Sequence, residues 1–372
     1  MKIIIGADLV PTDINYEEFE NGNVAALADE KILTALKTAD YRIFNCEFAL
    51  TDKDTPIRKS GPNIKAPTAT VNGIKALGVD LLGISNNHIL DHGYEGFVST
   101  IKTLDDAQIA HVGGGFSKEE AKKTYYFEKD GIKVGVFACC EHEFSWVEDY
   151  GFGANGFDPL ETTDDISDAK KECDYLIVLY HGGKEHYQYP SPRLRKVCRK
   201  IIEKGADIVL CQHTHCVGTE ENYKGGKIIY GQGNFIFARD YRNLKTWGKG
   251  FLVQLELKKN KKPCFEYVPY NNSDKGIVYD NTGEVLNGLK IRSEEIKVPG
   301  FIEQAFVKMA KETVVDRYVQ HMLGHMPSEE ELKDQLIFLF HFAECDVHNE
   351  CLITGLRAKG ELGKYGEFPS KD

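Results

Sequence analysis

Carboxylate, amide and imidazole side chains recur directly after short apolar runs in this sequence. The five cases are Asp8 after Ile3–Ile5, Glu47 after Arg42–Phe44, Asn87 with His88 after Leu81–Ile84, His181 after Leu176–Tyr180, and His213 with His215 after Ile208–Cys211. In open α/β sheets, the carboxyl ends of parallel strands meet at one edge, and binding sites form there. Five such placements in one chain predict a functional site at this edge.

The predicted site offers carboxylate, amide-oxygen and imidazole donors, and it has no thiolate. Such donors suit a hard or borderline divalent metal, with Mn, Fe or Zn as the candidates. The candidate ligand residues outnumber the four ligands of one tetrahedral ion, so we expect one or two ions. A pair of ions ~3.5–4 Å apart polarises an ester or amide oxygen and generates hydroxide near neutral pH.

The His213-x-His215 pair is the sharpest single element. Alternate residues of a strand point to opposite faces, so both imidazoles reach one centre only where the strand has already become a loop. The alternative is a pair of surface histidines. Placement at a strand end favours the metal-ligand interpretation.

The segment from Asn87 to Asp91 combines an amide, an imidazole and a carboxylate. An asparagine in a turn often serves only the backbone; the functional alternative makes Asn87 a metal ligand and His88 a proton donor. Asp91 is expected to orient the His88 ring and to raise its pKa. Asp91 is equally suited to cap the helix that follows, and the two roles are compatible.

Three further charged residues have both a functional and a plain interpretation. Arg58 and Lys59, in a loop rich in Pro and Gly, are candidates to bind an anionic substrate, although a charged run is more often a solvated loop. Glu185 is either a partner for His181 or a helix-start carboxylate.

Metal-capable side chains also recur at helical spacing near the C-terminus, at His341, Cys345, His348 and Cys351. One helix cannot surround a tetrahedral ion, so we expect no separate zinc site there.

The first 210 residues alternate apolar runs with helical patterns, which indicates an α/β architecture with helices covering the sheet. The predicted strands are Ile3–Ile5, Tyr41–Phe44, Val79–Ile84, Ile109–Val112, Val134–Ala138, Tyr175–Tyr180 and Ile208–Cys211. The predicted helices are Glu30–Thr38, Thr68–Leu77, Gly96–Asp106 and Ser191–Lys204.

After Tyr223 the pattern changes to antiparallel strands that form a second sheet or extend the first. Gly225-Gly226 predicts a hairpin turn, and Gly250–Leu257 and Cys264–Tyr270 alternate polar and apolar residues. The sequence is helical again beyond Pro299, and Ser328-x-x-Glu331 is a capping box that predicts a second helix start. We therefore divide the chain into residues 1–290 and a C-terminal helical extension, residues 291–372.

Composition narrows the function classes. The charge of 46 − 57 = −11 argues against nucleic-acid binding, which needs a basic footprint. No apolar run approaches the roughly 18 residues of a membrane span, and no signal-peptide pattern precedes Asp8. The ten cysteines include no C-x-x-C pair, so we expect reduced thiols and a cytoplasmic protein.

Several motifs together resemble one family. The stretch from Asn86 to Gly93, Asn-Asn-His-Ile-Leu-Asp-His-Gly, is similar to the NNHxxDxG signature of the CapA family of poly-γ-glutamate capsule synthesis proteins. Further matching stretches are Asn45–Glu47, His181–Tyr187, Gly205–His215 and Tyr230–Phe235. The resemblance covers roughly residues 2–240.

This family is similar to the calcineurin-like metallophosphoesterases. The resemblance implies a four-layer sandwich of two mixed β-sheets flanked by helices, with a dinuclear metal site. It implies ligand roles for Asp8, Glu47 as the bridging carboxylate, Asn87, His181, His213 and His215, with His88 as the acid. Asn45 and Asn234, which lie in the matching motifs, are predicted to bind substrate together with Arg58, Lys59 and Glu185. The sequence departs from the phosphoesterase pattern at two positions. Val10 stands where that pattern has a histidine, so one metal site loses a ligand, and Glu47 stands where it has the bridging aspartate.

The predicted function is a metal-dependent hydrolase of a phosphoester or a γ-glutamyl-type amide. Its partner would be a small anionic substrate or a polymer like poly-γ-glutamate. The alternatives are an accessory role in poly-γ-glutamate synthesis or export, and a non-catalytic metal- or anion-binding member of the fold.

Overall fold

The computed structural model describes residues 1–239, 246–314 and 329–359. The predicted helix start at Ser328 lies outside this part of the chain. All seven strands and all four helices predicted in the first 210 residues are confirmed, and so are the later antiparallel strands.

Within the described residues the chain forms eighteen strands. They are β1 (Lys2–Val10), β2 (Tyr41–Cys46), β3 (Ala49–Leu50), β4 (Lys65–Ala66), β5 (Leu81–Gly83), β6 (Ala110–Val112), β7 (Gly114–Gly115), β8 (Tyr125–Lys129), β9 (Ile132–Cys140), β10 (Gly153–Ala154), β11 (Tyr175–His181), β12 (Ile208–Gln212), β13 (Glu220–Tyr223), β14 (Gly226–Ile229), β15 (Asn234–Phe237), β16 (Lys249–Glu256), β17 (Cys264–Asn272) and β18 (Ile277–Tyr279).

The same ranges contain thirteen α-helices, a 3-10 turn at Thr68–Thr70 and a π-helical turn at Ala310–Val314. The α-helices are α1 (Tyr16–Glu20), α2 (Val24–Leu27), α3 (Glu30–Thr38), α4 (Val71–Ala76), α5 (Gly93–Ala107), α6 (Lys118–Ala121), α7 (Val147–Tyr150), α8 (Thr162–Lys171), α9 (Pro192–Glu203), α10 (Glu284–Glu295), α11 (Phe301–Met309), α12 (Glu329–Glu344) and α13 (Asp346–Lys359).

Two large mixed sheets organise these elements. The first has the order β18-β17-β16-β1-β2-β5-β6, with β15 also parallel to β1. The second has the order β13-β14-β12-β11-β9-β8, with β14, β12, β11 and β9 parallel and both edge strands antiparallel. The antiparallel strands β16 and β17 therefore extend the first sheet, whereas the β13–β14 hairpin completes the second.

Strand alternation builds four layers. In β1, Ile3 and Ile5 belong to the core between the two sheets, where they join Ile177 and Leu179 of β11. Ile4 belongs instead to the core under the helices that cover the first sheet, because successive side chains of a strand point to opposite faces. A third core lies between β9, β11, β12 and helices α8 and α9. The predicted four-layer α/β sandwich is confirmed.

The C-terminal helices pack against the loop that follows β11. Phe306 of α11, Phe342 of α12 and Cys351 of α13 form one apolar cluster, and Tyr187 packs against it. The predicted division at residue 290 falls inside α10, whose Val285 and Leu289 join the core between the sheets. The division itself stays a prediction. In the described ranges, no helix combines the length and the apolar character needed to cross a membrane.

Candidate metal centre

The six predicted metal ligands come together where strands of both sheets end. Asp8, Glu47 and Asn87 come from the β1, β2 and β5 region of the first sheet, and the histidines come from β11 and β12 of the second. All six side chains belong to residues no more than 5% exposed, namely Asp8, Glu47, Asn87, His181, His213 and His215. The strand-end pattern in the sequence therefore located one buried polar cluster.

The backbone explains how both histidines of His213-x-His215 face the same centre. Strand β12 ends at Gln212, directly before the pair. The φ angles are 86° at His213 and 53° at His215, so both lie in the left-handed region that non-glycine residues rarely adopt. Such backbone strain persists where the surrounding structure requires it, commonly at functional sites. The requirement that the strand has already ended is met.

Two groups of ligand atoms share Glu47. In the first group, Glu47 Oε1 lies 3.3 Å from His181 Nε2 and 4.0 Å from His213 Nδ1. In the second, His215 Nδ1 lies 3.5 Å from Asp8 Oδ2 and 3.8 Å from Glu47 Oε2. Each group could hold a metal ion. Because the two Glu47 oxygens face different histidines, Glu47 is placed where a bridging carboxylate would lie, and the bridging role stays a prediction.

The hydrogen bonding of Glu47 fits a cation. Among the described residues, neither Glu47 oxygen has a hydrogen-bond donor, and His213 Nδ1 also lacks a partner. Burial, followed by the charge of Asp8, raises the pKa of Glu47 well above its usual range. A buried carboxylate without donors is costly, and a positive ion between these atoms would remove that cost.

The three histidines differ in protonation state, because burial dominates at His181 and His213 and neighbouring carboxylates dominate at His215. Burial lowers the pKa of His181 to about 3 and that of His213 well below its usual range, so both rings are neutral, as metal ligation requires. Burial also acts to lower the pKa of His215, but the carboxylates of Glu47 and Asp8 outweigh it and raise that pKa to about 10. A cation bound here would compete with the His215 proton.

Two asparagines predicted to bind substrate lie behind the ligands. Asn234 is fully buried, and its Oδ1 accepts from His215 Nδ1 at 2.8 Å. Asn45 Nδ2 donates to Asp8 Oδ1 at 2.8 Å and lies 3.2 Å from His181 Nδ1. The Asn45 contact suits the orientation of Asp8, whose other oxygen faces His215. The Asn234 oxygen instead accepts the Nδ1 proton of His215, which an ion at this nitrogen would displace. Substrate contact by Asn45 and Asn234 stays a prediction.

Replacing Asn45 with alanine is expected to weaken metal binding by about 10–100-fold, the usual cost of losing a residue that orients a ligand. The Asp8 carboxylate loses the amide N–H that holds it in place. The measurement is competition for Mn²⁺ with a chelator of known affinity. The exposed Asn222 gives a matched Asn→Ala control, and equal Mn²⁺ affinity in both variants would contradict the orienting role.

His88, Asp91 and Lys59 form a second buried group beside the ligands. His88 Nδ1 donates to Asp91 Oδ2 at 2.6 Å, which is the predicted orienting contact. The other Asp91 oxygen pairs with Lys59, whose side chain is only 2% exposed. Burial and then the Lys59 charge lower the pKa of His88, and Asp91 does not overcome them. The predicted rise in the pKa of His88 is therefore wrong.

The Asp91 side chain does not cap the following helix. Helix α5 has no side-chain cap, and Asp91 Oδ2 instead accepts from the Ile64 backbone N–H at 2.6 Å. Asp91 thus joins the loop of Lys59 to the turn that carries His88, and the capping alternative is wrong.

A cavity of about 430 Å³ opens onto these groups. Its walls include ligands, the His88 group and several cationic side chains, among them Asn87, His88, His215, Lys59, Lys184, Glu185 and Arg239. Glu185 lies in the loop after β11, and α9 begins only at Pro192, so Glu185 is not a helix-start carboxylate. Arg58 does not line this cavity; its exposed side chain pairs with Asp334 of α12 at 2.8 Å.

Glu143 is a cavity residue that the sequence prediction missed. It follows β9, and its Oε2 lies 3.8 Å from His213 Nε2. Burial raises the pKa of Glu143 to about 7. The same strand-end rule would have found it, because Val134–Ala138 was a predicted strand and Glu143 comes five residues after its end.

The two-sheet sandwich and the buried ligand cluster at its strand ends define a protein with a metallophosphoesterase-like fold. A family model described as "Bacterial capsule synthesis protein PGA_cap" matches residues 5–239, which include all six predicted ligands. The chain belongs to this family.

Individual relatives agree with this family. The chain is 30% identical over 245 residues to the capsule biosynthesis protein CapA of Bacillus anthracis, an alignment that covers 63% of this chain and 59% of the relative. It is 29% identical over 242 residues to the PGA biosynthesis protein CapA of Bacillus subtilis (strain 168), covering 63% and 62%. The chain thus spans about three fifths of the length of these relatives.

Among solved structures, a hypothetical protein from Thermus thermophilus matches with a TM-score of 0.47 and 13% identity. The match covers 73% of this chain and 100% of that protein.

Proposed function

We propose that this chain is a metal-dependent hydrolase that acts on a phosphoester or a γ-glutamyl-type amide. The observation that carries the proposal is the buried Glu47, whose two unpartnered oxygens face His181 and His213 on one side and His215 on the other. His215 and Asn87 also line the cavity. The residues that would hold one or two ions of Mn, Fe or Zn are Asp8, Glu47, Asn87, His181, His213 and His215. When bound, such ions supply a nucleophilic water and stabilise developing negative charge.

The chain's own residues handle the proton. Because Nδ1–H of His88 donates to Asp91 and the pKa of the ring is lowered, the neutral ring has an unprotonated Nε2, which can take up a proton and then release it to a leaving group. Asp91 holds the ring in one orientation, and the buried Lys59 balances the Asp91 charge. This arrangement suits general acid catalysis on a leaving group.

The walls of the cavity favour an anionic substrate. Lys184 and Arg239 line it beside Lys59, and a phosphate or carboxylate would gain charge-assisted hydrogen bonds from them. Glu143 and Glu185 line the same cavity, and Glu143 Oε2 lies 3.8 Å from His213 Nε2. A substrate with an anionic group that meets Lys184 and Arg239 fits this lining.

The second candidate is an accessory role in poly-γ-glutamate synthesis or export. The names of the two Bacillus relatives point to capsule or PGA biosynthesis, and the cationic walls suit a chain of γ-linked glutamates.

Ten free thiols in the described structure favour a reducing compartment, and we retain the cytoplasm as the proposed location.

The hydrolase is tested on Mn²⁺-loaded protein with bis(p-nitrophenyl) phosphate and γ-glutamyl p-nitroanilide, in parallel with elemental analysis. We expect turnover of one of them, and a loss of at least about 100-fold together with metal in His213→Ala. His111→Ala, on β6 in the sheet and away from the cavity, is the matched control.

A His213→Ala variant with full metal content and full activity would overturn the hydrolase proposal. Wild-type protein that takes up no metal and turns over neither compound would favour the non-catalytic alternative. Metal uptake without turnover of either compound would favour the accessory role in polymer synthesis.

A further inference from the structure

Two histidines of the C-terminal helices face the cavity beside Glu143. His341 lies near the end of α12 and His348 in the first turn of α13, and their ring centroids are 4.7 Å apart. Glu143, from the loop after β9, places Oε1 3.5 Å from His341 Nε2. One potential ligand atom from each of the three residues lies within 4.8 Å of the other two.

We propose that Glu143, His341 and His348 form a third metal site, separate from the two groups that share Glu47, and that it takes a divalent ion of the zinc class. This inference does not depend on the hydrolase proposal, since none of its three ligands belongs to those groups. Residues 341 and 348 also lie beyond the family match, which ends at residue 239.

The separation of the atoms favours a shared ion over a direct contact. A good N–H···O hydrogen bond has a length of about 2.9–3.0 Å, which is shorter than the 3.5 Å between His341 and Glu143. Two ligands on one tetrahedral zinc, each bonded at about 2.0–2.1 Å, are held roughly 3.3 Å apart. The observed distance is close to that value.

The donor set and its surroundings suit zinc. Two imidazoles and one carboxylate leave a fourth position open in a tetrahedral site, and all three residues line the cavity. Burial lowers the pKa of His341 to about 4 and that of His348 to about 2, so both rings are neutral. Two lysines lie near the proposed ion. Lys59 is paired with Asp91, and the Lys184 charge, which also lowers the pKa of His348, is opposed by the neighbouring Glu185.

Helix geometry explains why spacing alone did not predict this site. The histidines lie on two helices separated at Cys345, and the third ligand comes from a distant loop. The premise that one helix would have to surround the ion is therefore wrong. Cys345 and Cys351 are not part of the site; both thiols are buried, and burial raises their pKa values.

An ion at this site would join α12 and α13 to the loop after β9. In this structure the loop and α12 meet through the 3.5 Å approach of Glu143 to His341 and through stacking of the His341 ring on Phe144, with the ring centroids 4.7 Å apart. A shared ion would add metal–ligand bonds to these weak contacts. Zinc should therefore protect the C-terminal helices from proteolysis, and this protection can be read without any assay of activity.

The experiment uses the full chain with Glu47→Gln, which disables the two groups that share Glu47, so that Zn²⁺ titration after chelation reports the third site alone. We expect one equivalent of Zn²⁺ in this protein, with slower protease cleavage of the C-terminal helices. Adding His348→Ala should abolish both effects, whereas adding His111→Ala should change neither.

Equal Zn²⁺ binding with and without His348→Ala, or none in Glu47→Gln alone, would overturn the third site. If Glu47→Gln fails to fold, the comparison is made in the wild-type background, where His348→Ala must lower the Zn²⁺ stoichiometry by one. A loss of one equivalent in His348→Ala with no loss in Glu47→Gln would support the third site and contradict the metal centre of the proposed hydrolase.

Discussion

Glu47→Gln is expected to remove both ions of the metal centre and to lower hydrolytic activity by roughly 1000-fold, about 4 kcal/mol of transition-state stabilisation. Glu47 is the one residue common to both ligand groups. The substitution keeps the size of the side chain and removes its negative charge. Elemental analysis and steady-state kinetics measure the two effects on the same sample.

The same substitution is expected to stabilise the metal-free protein. The pKa of Glu47 is raised by burial, so the folded state retains a proton that the unfolded chain releases above its ordinary value. The free energy of unfolding therefore falls as pH rises above that ordinary value. Glutamine does not titrate, so the stability advantage of Glu47→Gln over the wild type should grow with pH in the presence of chelator.

Added Mn²⁺ should reverse this order. At 100-fold above its dissociation constant, an ion that binds only the folded state stabilises it by about 2.7 kcal/mol. The wild type gains this stabilisation and Glu47→Gln does not. Thermal unfolding of the wild type and of Glu47→Gln, each in chelator and in Mn²⁺, measures which protein is more stable in either condition. A variant that is less stable than the wild type in chelator, or one that Mn²⁺ stabilises equally, would contradict the role of Glu47.

The fold was predictable because its strands are encoded locally. Runs such as Ile3–Ile5 and Ile208–Cys211 are β-branched, apolar and followed by polar turns, and this pattern requires no knowledge of distant contacts. The expectation that polar residues directly after parallel strands share one site then predicted that Asp8 and His213 lie together, although they are 205 residues apart in the chain. This expectation holds because parallel strands of both sheets end on one side of the sandwich.

What the sequence did not show depends on contacts between distant segments. Lys59 looked like part of a solvated charged loop, but its side chain is buried against Asp91 and near His88. Burial of His88, and then the Lys59 charge, reversed the expected direction of the His88 pKa shift. Asn234 belongs to a recognisable motif, yet only the pairing of β15 with β1 shows that its side chain lies behind His215. Such features follow from tertiary packing, which periodicity does not report.

Val10 shows how a local departure is tolerated. The side chain at this position is fully buried and belongs to the core under the first helical layer, so it contributes packing where the phosphoesterase pattern would place a histidine. On the neighbouring strand, Asn234 pairs with Asp8 in register and contacts His215. Each group has three members, but Asn87, the sixth predicted ligand, lies beside the first one, with its Oδ1 3.0 Å from His181 Nε2. We therefore expect the ion held by Asp8, Glu47 and His215 to be the weaker of the two.

His88→Ala is expected to lower kcat by about 10²–10⁴-fold, the usual contribution of general acid–base catalysis, while the metal content stays unchanged. His88 lines the cavity but belongs to neither ligand group that shares Glu47. Loss of activity without loss of metal separates this role from that of His213. The measurement pairs kcat and KM with elemental analysis, and His111→Ala is again the control for an imidazole outside the cavity.

Asp91→Asn gives the graded counterpart of this variant. Asparagine keeps the shape of the side chain but lacks the charge that balances Lys59 and holds the His88 ring. We expect a smaller loss in kcat, about 10–100-fold, with KM little changed. If His88 contributed only to packing, Asp91→Asn would leave kcat intact and His88→Gln would restore it. If His88 holds the transferred proton at Nε2, neither outcome is possible, because glutamine cannot donate a proton at neutral pH and a misoriented imidazole donates it poorly.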